Sequence, residues 1–432
     1  MKGGLAARFL QSLRHVTAAG GVAHAPGPPG GVFPKGQDKS LDLGLGLAVS
    51  GGGDSMAMLH LAVEAGLAVQ AVTVDHGLRP EAADEAAEVG RICAGLGLRH
   101  EILRWHWDGQ GNLQDAARRG RRRLIAEWAG VQGIEAVALA HTRDDVAETF
   151  LMRMARGAGV DGLAAMAASW HEGGVTWLRP LLAVSRMELR DYLGAHGLSW
   201  VEDPSNANER FDRVKARKAL VALGPLGLTA ERLAEVAGYL AEARVALDAL
   251  TLDVWGRVVS DHGLGLVLDM VRLAQAPGEV QRRVLIKVIL RLAPGDYAPR
   301  GSAIQALLAR ISAGKDGVLA GCRFQWVRGR LWAFREARAV ASQVALAGQV
   351  WDGLWRIEGP AVAGAQIRAL GAGIAHCATW RASGLPRAAV LASPSLWQDA
   401  TLIAAPHAGF GPGYSAKPLF DAAALHHSVI SH

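Results

Sequence analysis

Cysteine is scarce. The chain has three in 432 residues, Cys93, Cys322 and Cys377, far apart, with no C-x-x-C pair and no His/Cys spacing of a zinc finger. That argues against a disulfide scaffold, a paired-thiol sulfur carrier and a structural zinc. Long apolar runs are missing too: none approaches the roughly 18 residues of a membrane span. Residues 1–14 lack the continuous apolar stretch and small-residue cleavage site of a signal peptide. Charge is only mildly one-sided, with 46 Lys and Arg against 40 Asp and Glu and a formal net charge of +6. Such a balance permits a polyanionic partner without demanding one. What the chain does have is apolar content, 50% of its residues, and a length of about three domains of roughly 150 residues. It reads as a reduced, cytoplasmic protein of two or three domains, each able to bury a core.

Residues 1–40 begin with one short amphipathic helix, 6–16, followed by the Gly- and Pro-rich 20–36, and read together as a mobile extension. From Leu41 short apolar runs alternate with helical spacing. Strands are expected at 43–49, 68–74, 99–105, 136–140 and 175–181, and helices at 55–64, 81–96, 113–128, 144–154 and 185–196. This alternation predicts an α/β domain with a parallel sheet covered on both faces. Ligands of such sheets sit at the carboxyl ends of the strands, here after Val49, Val74 and Ala140. The turn cluster 202–208 (EDPSNAN) closes this domain, so the expected divisions are 41–215, a helical 216–315 and a β-rich 316–432 with a hairpin around Arg328-Gly329-Arg330.

Three motifs carry chemistry. Ser50-Gly51-Gly52-Gly53-Asp54-Ser55 follows a buried strand and opens a helix. Glycines there let backbone N–H groups approach a phosphate closely, and the two serines add hydroxyl donors. Asp54 would repel phosphates unless a cation lay between, which suggests Mg²⁺. The loop lacks the G-K-[ST] ending of a P-loop kinase, and Gly44-x-Gly46 lies inside the strand, so neither that reading nor a dinucleotide fingerprint holds. The second motif, 141–149 (HTRDDVAET), places Asp144, Asp145 and Glu148 at helical spacings that let acids share a face. Thr142 with Asp145 reads equally as a capping box. The third is Arg118-Arg119-Gly120-Arg121-Arg122-Arg123, five arginines in six positions, and 210–218 adds Arg210, Arg213, Lys215, Arg217 and Lys218. Either block serves as a solvated face or as a grip on RNA or nucleotide phosphates.

The loop 50–55 matches the SGGxDS signature of the PP-loop ATP pyrophosphatase superfamily. Within it the chain resembles the tRNA(Ile)-lysidine synthases, through 74–79 (VDHGLR), 112–121 (NLQDAARRGR), 141–149, 153–166 (RMARGAGVDGLAAM) and 202–213 (EDPSNANERFDR). The likeness is strong over about 41–220 and weak beyond. It implies a PP-loop catalytic domain, a helical tRNA-contacting domain and a small β-rich C-terminal region. It also implies an ATP-dependent ligase that adenylates O2 of the wobble cytidine of the CAU-anticodon tRNA(Ile), after which free L-lysine attacks C2 and AMP leaves. By the same resemblance Ser50, Gly51, Gly52, Gly53, Asp54 and Ser55 hold ATP, with Asp54 the Mg²⁺ contact. Asp145 and Glu148 bind lysine, and His141 and Arg121 belong to the catalytic set. Arg118, Arg119, Arg122 and Arg213 contact tRNA or nucleotide. Arg122 stands where the family commonly has Tyr, and the segment after Arg213 lacks the usual Asn. A homodimer is common in the family.

Two rivals remain open at this point. One is another PP-loop enzyme that adenylates a different tRNA base or a small molecule, such as a thiolase or an amidating synthetase. The other is an RNA-binding protein with a degenerate nucleotide domain, against which the intact acids of both motifs argue.

Overall fold

The computed structural model describes residues 4–19, 44–77, 80–107, 109, 113–202, 212–295 and 298–419. The linker 20–36, Leu78 and Arg79, most of the turn cluster 202–208, and Arg210 lie outside the described residues. The chain forms two compact units, Met1–Arg244 and Val245–Ser431.

The first unit runs α1 (Leu5–Ala19), β1 (Leu45–Ala48), α2 (Gly53–Glu64), β2 (Val69–Asp75), α3 (Ala82–Gly95), β3 (Arg99–Arg104), α4 (Leu113–Gln132), β4 (Ala136–Leu139) and α5 (Arg143–Ala155). It continues through α6 (Val160–Leu163), β5 (Ser169–Glu172), β6 (Val175–Leu178), α7 (Arg186–Ala195), α8 (Asp212–Leu223) and the start of α9 (Ala230–Val258). The six strands form one sheet in the order β3-β2-β1-β4-β6-β5. Every pairing is parallel except β5 with β6. The chain moves outward from β1 to β2 and β3, then returns to the other side of β1 with β4. That reversal is the topological switch point at which ligands of such sheets bind.

Both faces of the sheet are covered, which explains why its central strands read as continuous apolar runs. On one face Leu45, Leu47, Ala71, Ala136 and Ala138 pack with Met56, Leu59, Val89, Leu189 and Leu193. On the other Val72, Val137, Leu139 and Trp177 pack with Ile125 and Trp128. Gly46 is explained here: a Cβ at that position would run into the Trp128 ring, so the glycine in β1 makes room for an indole.

Packing corrects two expectations and adds a strand that was not expected. Helix α1 is no mobile extension, because Phe9, Leu13 and Val16 are buried in the same core as α2 and the sheet. Strand β5, hidden in the sequence among Trp, His and Glu, joins the sheet edge antiparallel to β6. The strand expected at 175–181 ends at Leu178, since Arg179 turns away to donate to the Ala168 and Ala167 carbonyls through its backbone N–H and its Nη1.

The second unit is not purely helical in its first part. After α9 come β7 (Val259–Asp261), β8 (Gly265–Leu268), α10 (Met270–Ala274), α11 (Gly278–Leu292), α12 (Gly301–Ser312), β9 (Gly317–Leu319), β10 (Cys322–Val327) and β11 (Arg330–Arg335). The five strands make one sheet, β7-β8-β11-β10-β9, so 259–268 contributes strands where helix was expected. The hairpin around Arg328 is present, with Val327 opposite Arg330. Short strands complete the chain: Ala345–Leu346, Gln366–Ala369, Pro394–Gln398 and Thr401–Ala404 form one sheet, and Trp355–Glu358 pairs with Ser415–Pro418. Among the described residues no helix is long and apolar enough to cross a membrane.

Candidate active site

The carboxyl ends of β1, β4 and β6 deliver three helix starts to one edge of the sheet, and they are built differently. Helix α5 begins with a complete capping box, Thr142 with Asp145, and helix α7 with another, Ser185 with Glu188. Helix α2 has Gly52 as its N-cap, with no side-chain acceptor on its first turn. Its leading N–H groups have no intrahelical partner by construction, so α2 is the start left free to meet an anion. The approach is shaped by Gly51, held at φ +84°, a conformation that costs a side chain dearly. Ser55 Oγ accepts from Ser50 N–H at 3.1 Å, donates to the Gly52 carbonyl at 2.8 Å and lies 3.2 Å from Ser50 Oγ, which locks the bend. Arg190 lies against Gly53, where an added Cβ would displace it, and puts a cation beside the loop.

Three carboxylates gather where this loop meets α5. Asp54 comes from α2, and Asp145 and Glu148 from α5, where Glu148 is fully buried. The two readings of Asp145 turn out to be compatible. Its Oδ2 accepts from Thr142 N–H at 2.8 Å and Thr142 Oγ1 at 2.9 Å, completing the cap, while its Oδ1 faces Arg186 Nη2 at 3.4 Å and Arg213 Nη1 at 3.7 Å. Asp144, its neighbour, turns the other way and accepts from the Arg186 backbone N–H at 2.8 Å, pinning the start of α7.

The residue that joins the cluster was not singled out by sequence. Arg186 donates through Nε to Asp54 Oδ2 at 3.2 Å, through Nη1 to Glu148 Oε1 at 3.0 Å and through Nη2 to Asp145 Oδ1. Arg217 Nε reaches the same Glu148 Oε1 at 2.6 Å. Two buried oxygens remain without a partner, Asp54 Oδ1 and Glu148 Oε2. A motif did point toward this region: Ser185-x-x-Glu188 is a capping box legible in the sequence, and it places Arg186 at the first position of a helix leaving the same sheet edge.

Charge and burial set the protonation of the cluster. Burial pushes Asp54 upward, Arg186 opposes it and the negative charge of Asp145 adds to it, leaving the carboxyl raised. Burial also works to raise Asp145, but the Arg213 and Arg186 charges and the Thr142 N–H outweigh it and the carboxyl is lowered. His141 is pushed down to about 3, first by burial and then by Arg179. Geometry agrees, because Arg179 Nε donates to His141 Nδ1 at 3.2 Å, so the ring is neutral with its proton on Nε2. Arg179 itself lies over the Trp170 ring at 4.1 Å.

The arginine block divides by direction. Arg119 pairs with Asp115 on its own helix, Arg122 with Glu172 of β5 at 2.8 Å, and Arg123 approaches Glu127 at 4.0 Å. Arg121 belongs to the site side. Burial, then Arg118, Arg213 and Arg122, lower it to about 10, and its charge is felt by His76 and His141. Burial, then Arg118, Arg122 and Arg153, lower Arg179 to about 9. In both cases burial does most of the lowering and the neighbouring guanidinium charges add to it. His76, at the end of β2, turns its ring edge-on to Trp105 and keeps a buried, unpartnered Nδ1.

Among the described residues no three His, Cys, Asp or Glu side chains are placed to hold a metal ion by themselves. Hard carboxylate oxygen suits Mg²⁺, which is commonly held by one or two carboxylates together with substrate phosphates. The unpartnered Asp54 Oδ1, at the phosphate loop, fits that requirement. The cysteines do not fit sulfur chemistry: all three are free and buried, and burial pushes Cys93 to about 11 and Cys322 to about 12.

A strand-to-helix phosphate loop at the switch point of a parallel sheet defines a nucleotide-binding α/β protein, and residues 36–223 match the PP-loop domain family. The chain is 46% identical over 396 residues to a tRNA(Ile)-lysidine synthase of Ruegeria pomeroyi, covering 90% of this chain and 94% of that one. It is 39% identical to the enzyme of the same name from Zymomonas mobilis, covering 68% and 88%. The chain therefore belongs to the tRNA(Ile)-lysidine synthase family. Among solved structures it is similar to the U34-tRNA thiolase NcsA of Methanococcus maripaludis, at 18% identity and a TM-score of 0.43 over 54% of this chain and 80% of that one.

Proposed function

We propose that the chain ligates L-lysine to C2 of the wobble cytidine of the CAU-anticodon tRNA(Ile), using ATP and releasing AMP and pyrophosphate. Family membership supports the tRNA and the ATP; the residue roles, Mg²⁺, free lysine, a homodimer and a cytoplasmic setting are parts of the proposal. The observation that carries the residue assignment is the uncapped start of α2 facing a buried carboxylate pair across one sheet edge.

In the first step cytidine O2 forms a bond to the α-phosphorus and the bond from that phosphorus to the departing pyrophosphate oxygen breaks. Loop 50–55 grips the leaving phosphates with backbone N–H groups and the serine hydroxyls, and Arg190 adds a cation beside them. Asp54 would hold Mg²⁺ shared with the phosphates, and that ion would offset their charge. Arg121 and Arg213 stand on the side where negative charge develops, and electrostatic help aimed there is the main catalytic resource of such a site. Neutral His141 offers Nε2–H as a hydrogen-bond donor without competing for the acids. In the second step the lysine nitrogen bonds to C2, the C2–O2 bond breaks and AMP leaves with that oxygen. The amine must reach C2 uncharged, so Asp145 and Glu148 bind its ammonium form and take up the proton.

Incubating the protein with ATP, Mg²⁺, labelled lysine and a CAU-bearing tRNA(Ile) transcript is expected to put label into the RNA. Folded protein that releases pyrophosphate but leaves the RNA unlabelled overturns the choice of lysine. Lack of both products overturns the whole reading.

A further inference from the structure

Arg186 pairs with three carboxylates, and these are groups that the proposed reaction needs for other purposes. Its guanidinium touches Asp54 of the phosphate loop and both Asp145 and Glu148 of the lysine site, at 3.2, 3.4 and 3.0 Å. A lysine ammonium bound to the latter pair would meet the same oxygens. Backbone and side chain differ in freedom. The Arg186 N–H is fixed by Asp144, and the helix start by the Ser185 cap, whereas the long side chain can swing about its rotatable bonds.

We propose that Arg186 is a positioning residue that stands in for the ammonium of the lysine substrate until nucleotide arrives. This rests on the lysine reading given above. Without nucleotide, the guanidinium offsets part of the negative charge of the buried Asp145 and Glu148 and the half-buried Asp54, whose clustering would otherwise be costly. Phosphates entering at the start of α2 bring a competing anion close by, and a guanidinium binds phosphate in a two-pronged geometry that a carboxylate cluster at 3.0–3.4 Å does not match better. Drawn toward the phosphates, Arg186 yields Asp145 Oδ1 and loosens its hold on Glu148. Glu148 Oε2, already buried and unpartnered, then completes the seat for an ammonium. Lysine thus binds after nucleotide, in the order the two chemical steps require. Arg217 stays on Glu148 Oε1 throughout and keeps that carboxylate oriented.

The test is the affinity for L-lysine, measured by calorimetry on the full chain with and without an ATP analogue that cannot be cleaved between its α- and β-phosphates. The wild-type chain is expected to bind lysine about tenfold more tightly with the analogue, inside the ordinary range of coupling between sites. In Arg186→Gln the affinity without analogue should rise to near the loaded value, so the ratio falls to about one. Arg186→Lys, a single point charge unable to span three carboxylates, should give an intermediate ratio. Equal lysine affinity in both states of the wild-type chain overturns the inference, as does an unchanged ratio in either variant. If Arg186→Gln does not fold, the wild-type and Arg186→Lys ratios decide. Lysine binding of equal strength in both states leaves the proposed reaction standing, while no lysine binding in any state removes the reaction and this inference together.

Discussion

Loop 50–55 and the carboxylate cluster facing it lie at one sheet edge and prepare for charged ligands by different means. The loop works with backbone: Gly51 at positive φ, an uncapped helix start and two hydroxyls locked to each other. The cluster works with side chains from four helices, α2, α5, α7 and α8, holding three acids against Arg186, Arg213 and Arg217. A backbone site is written in consecutive residues and survives many changes nearby. A side-chain site depends on how distant helices dock, so its members are scattered through the sequence and each carries little signal alone.

The sharpest break between the two halves should come at the residue that belongs to both. Asp54→Ala is expected to slow pyrophosphate release by about 10²–10³-fold, the scale for losing one electrostatic stabiliser, while tRNA affinity stays near wild type. A filter-binding assay showing lost tRNA affinity instead would move Asp54 out of the phosphate site. A smaller effect should follow from the backbone half. Forcing a side chain into the Gly51 conformation costs roughly 1–2 kcal/mol, so Gly51→Ala should raise the apparent KM for ATP about tenfold and leave the lysine KM alone; an unchanged ATP KM would show that the bend does not set the phosphate grip. The smallest effect concerns the outer arginines. Removing Arg119, Arg122 and Arg123 together should flatten the salt dependence of tRNA affinity by a slope of roughly 2 or less, at about 0.7 per phosphate contact on single strands. Their acidic partners on the protein limit the change, and an unaltered slope would make the block purely structural.

This contrast also explains what could be read from the sequence. SGGGDS after an apolar run states its own geometry, because few other reasons place three glycines between serines at a strand end. HTRDDVAET gave position but left two functions for Asp145, and only the split between its two oxygens shows that capping and site-facing coexist. Arg186 and Arg179 were silent, and Arg217 was read only as one member of a basic block: a single arginine at a helix start or after a strand looks like ordinary surface until the sheet order brings it to the switch point. Strand β5 escaped for a related reason, since an antiparallel edge strand need not be apolar: Trp170 packs on Trp177 yet also carries Arg179 on its ring, and Glu172 pairs with Arg122. Helix α1 was expected as a helix but counted with the mobile extension, because the Gly- and Pro-rich run after it suggested a loose end, although Phe9, Leu13 and Val16 already fell at core spacing.

One quiet feature has practical reach. Because Cys93, Cys322 and Cys377 are all sealed inside the folded chain, maleimide chemistry on the native protein would find no ready target. A fluorophore attached at one introduced surface thiol, on α7 for instance, would then report on that helix alone, without first stripping the chain of its natural sulfhydryls.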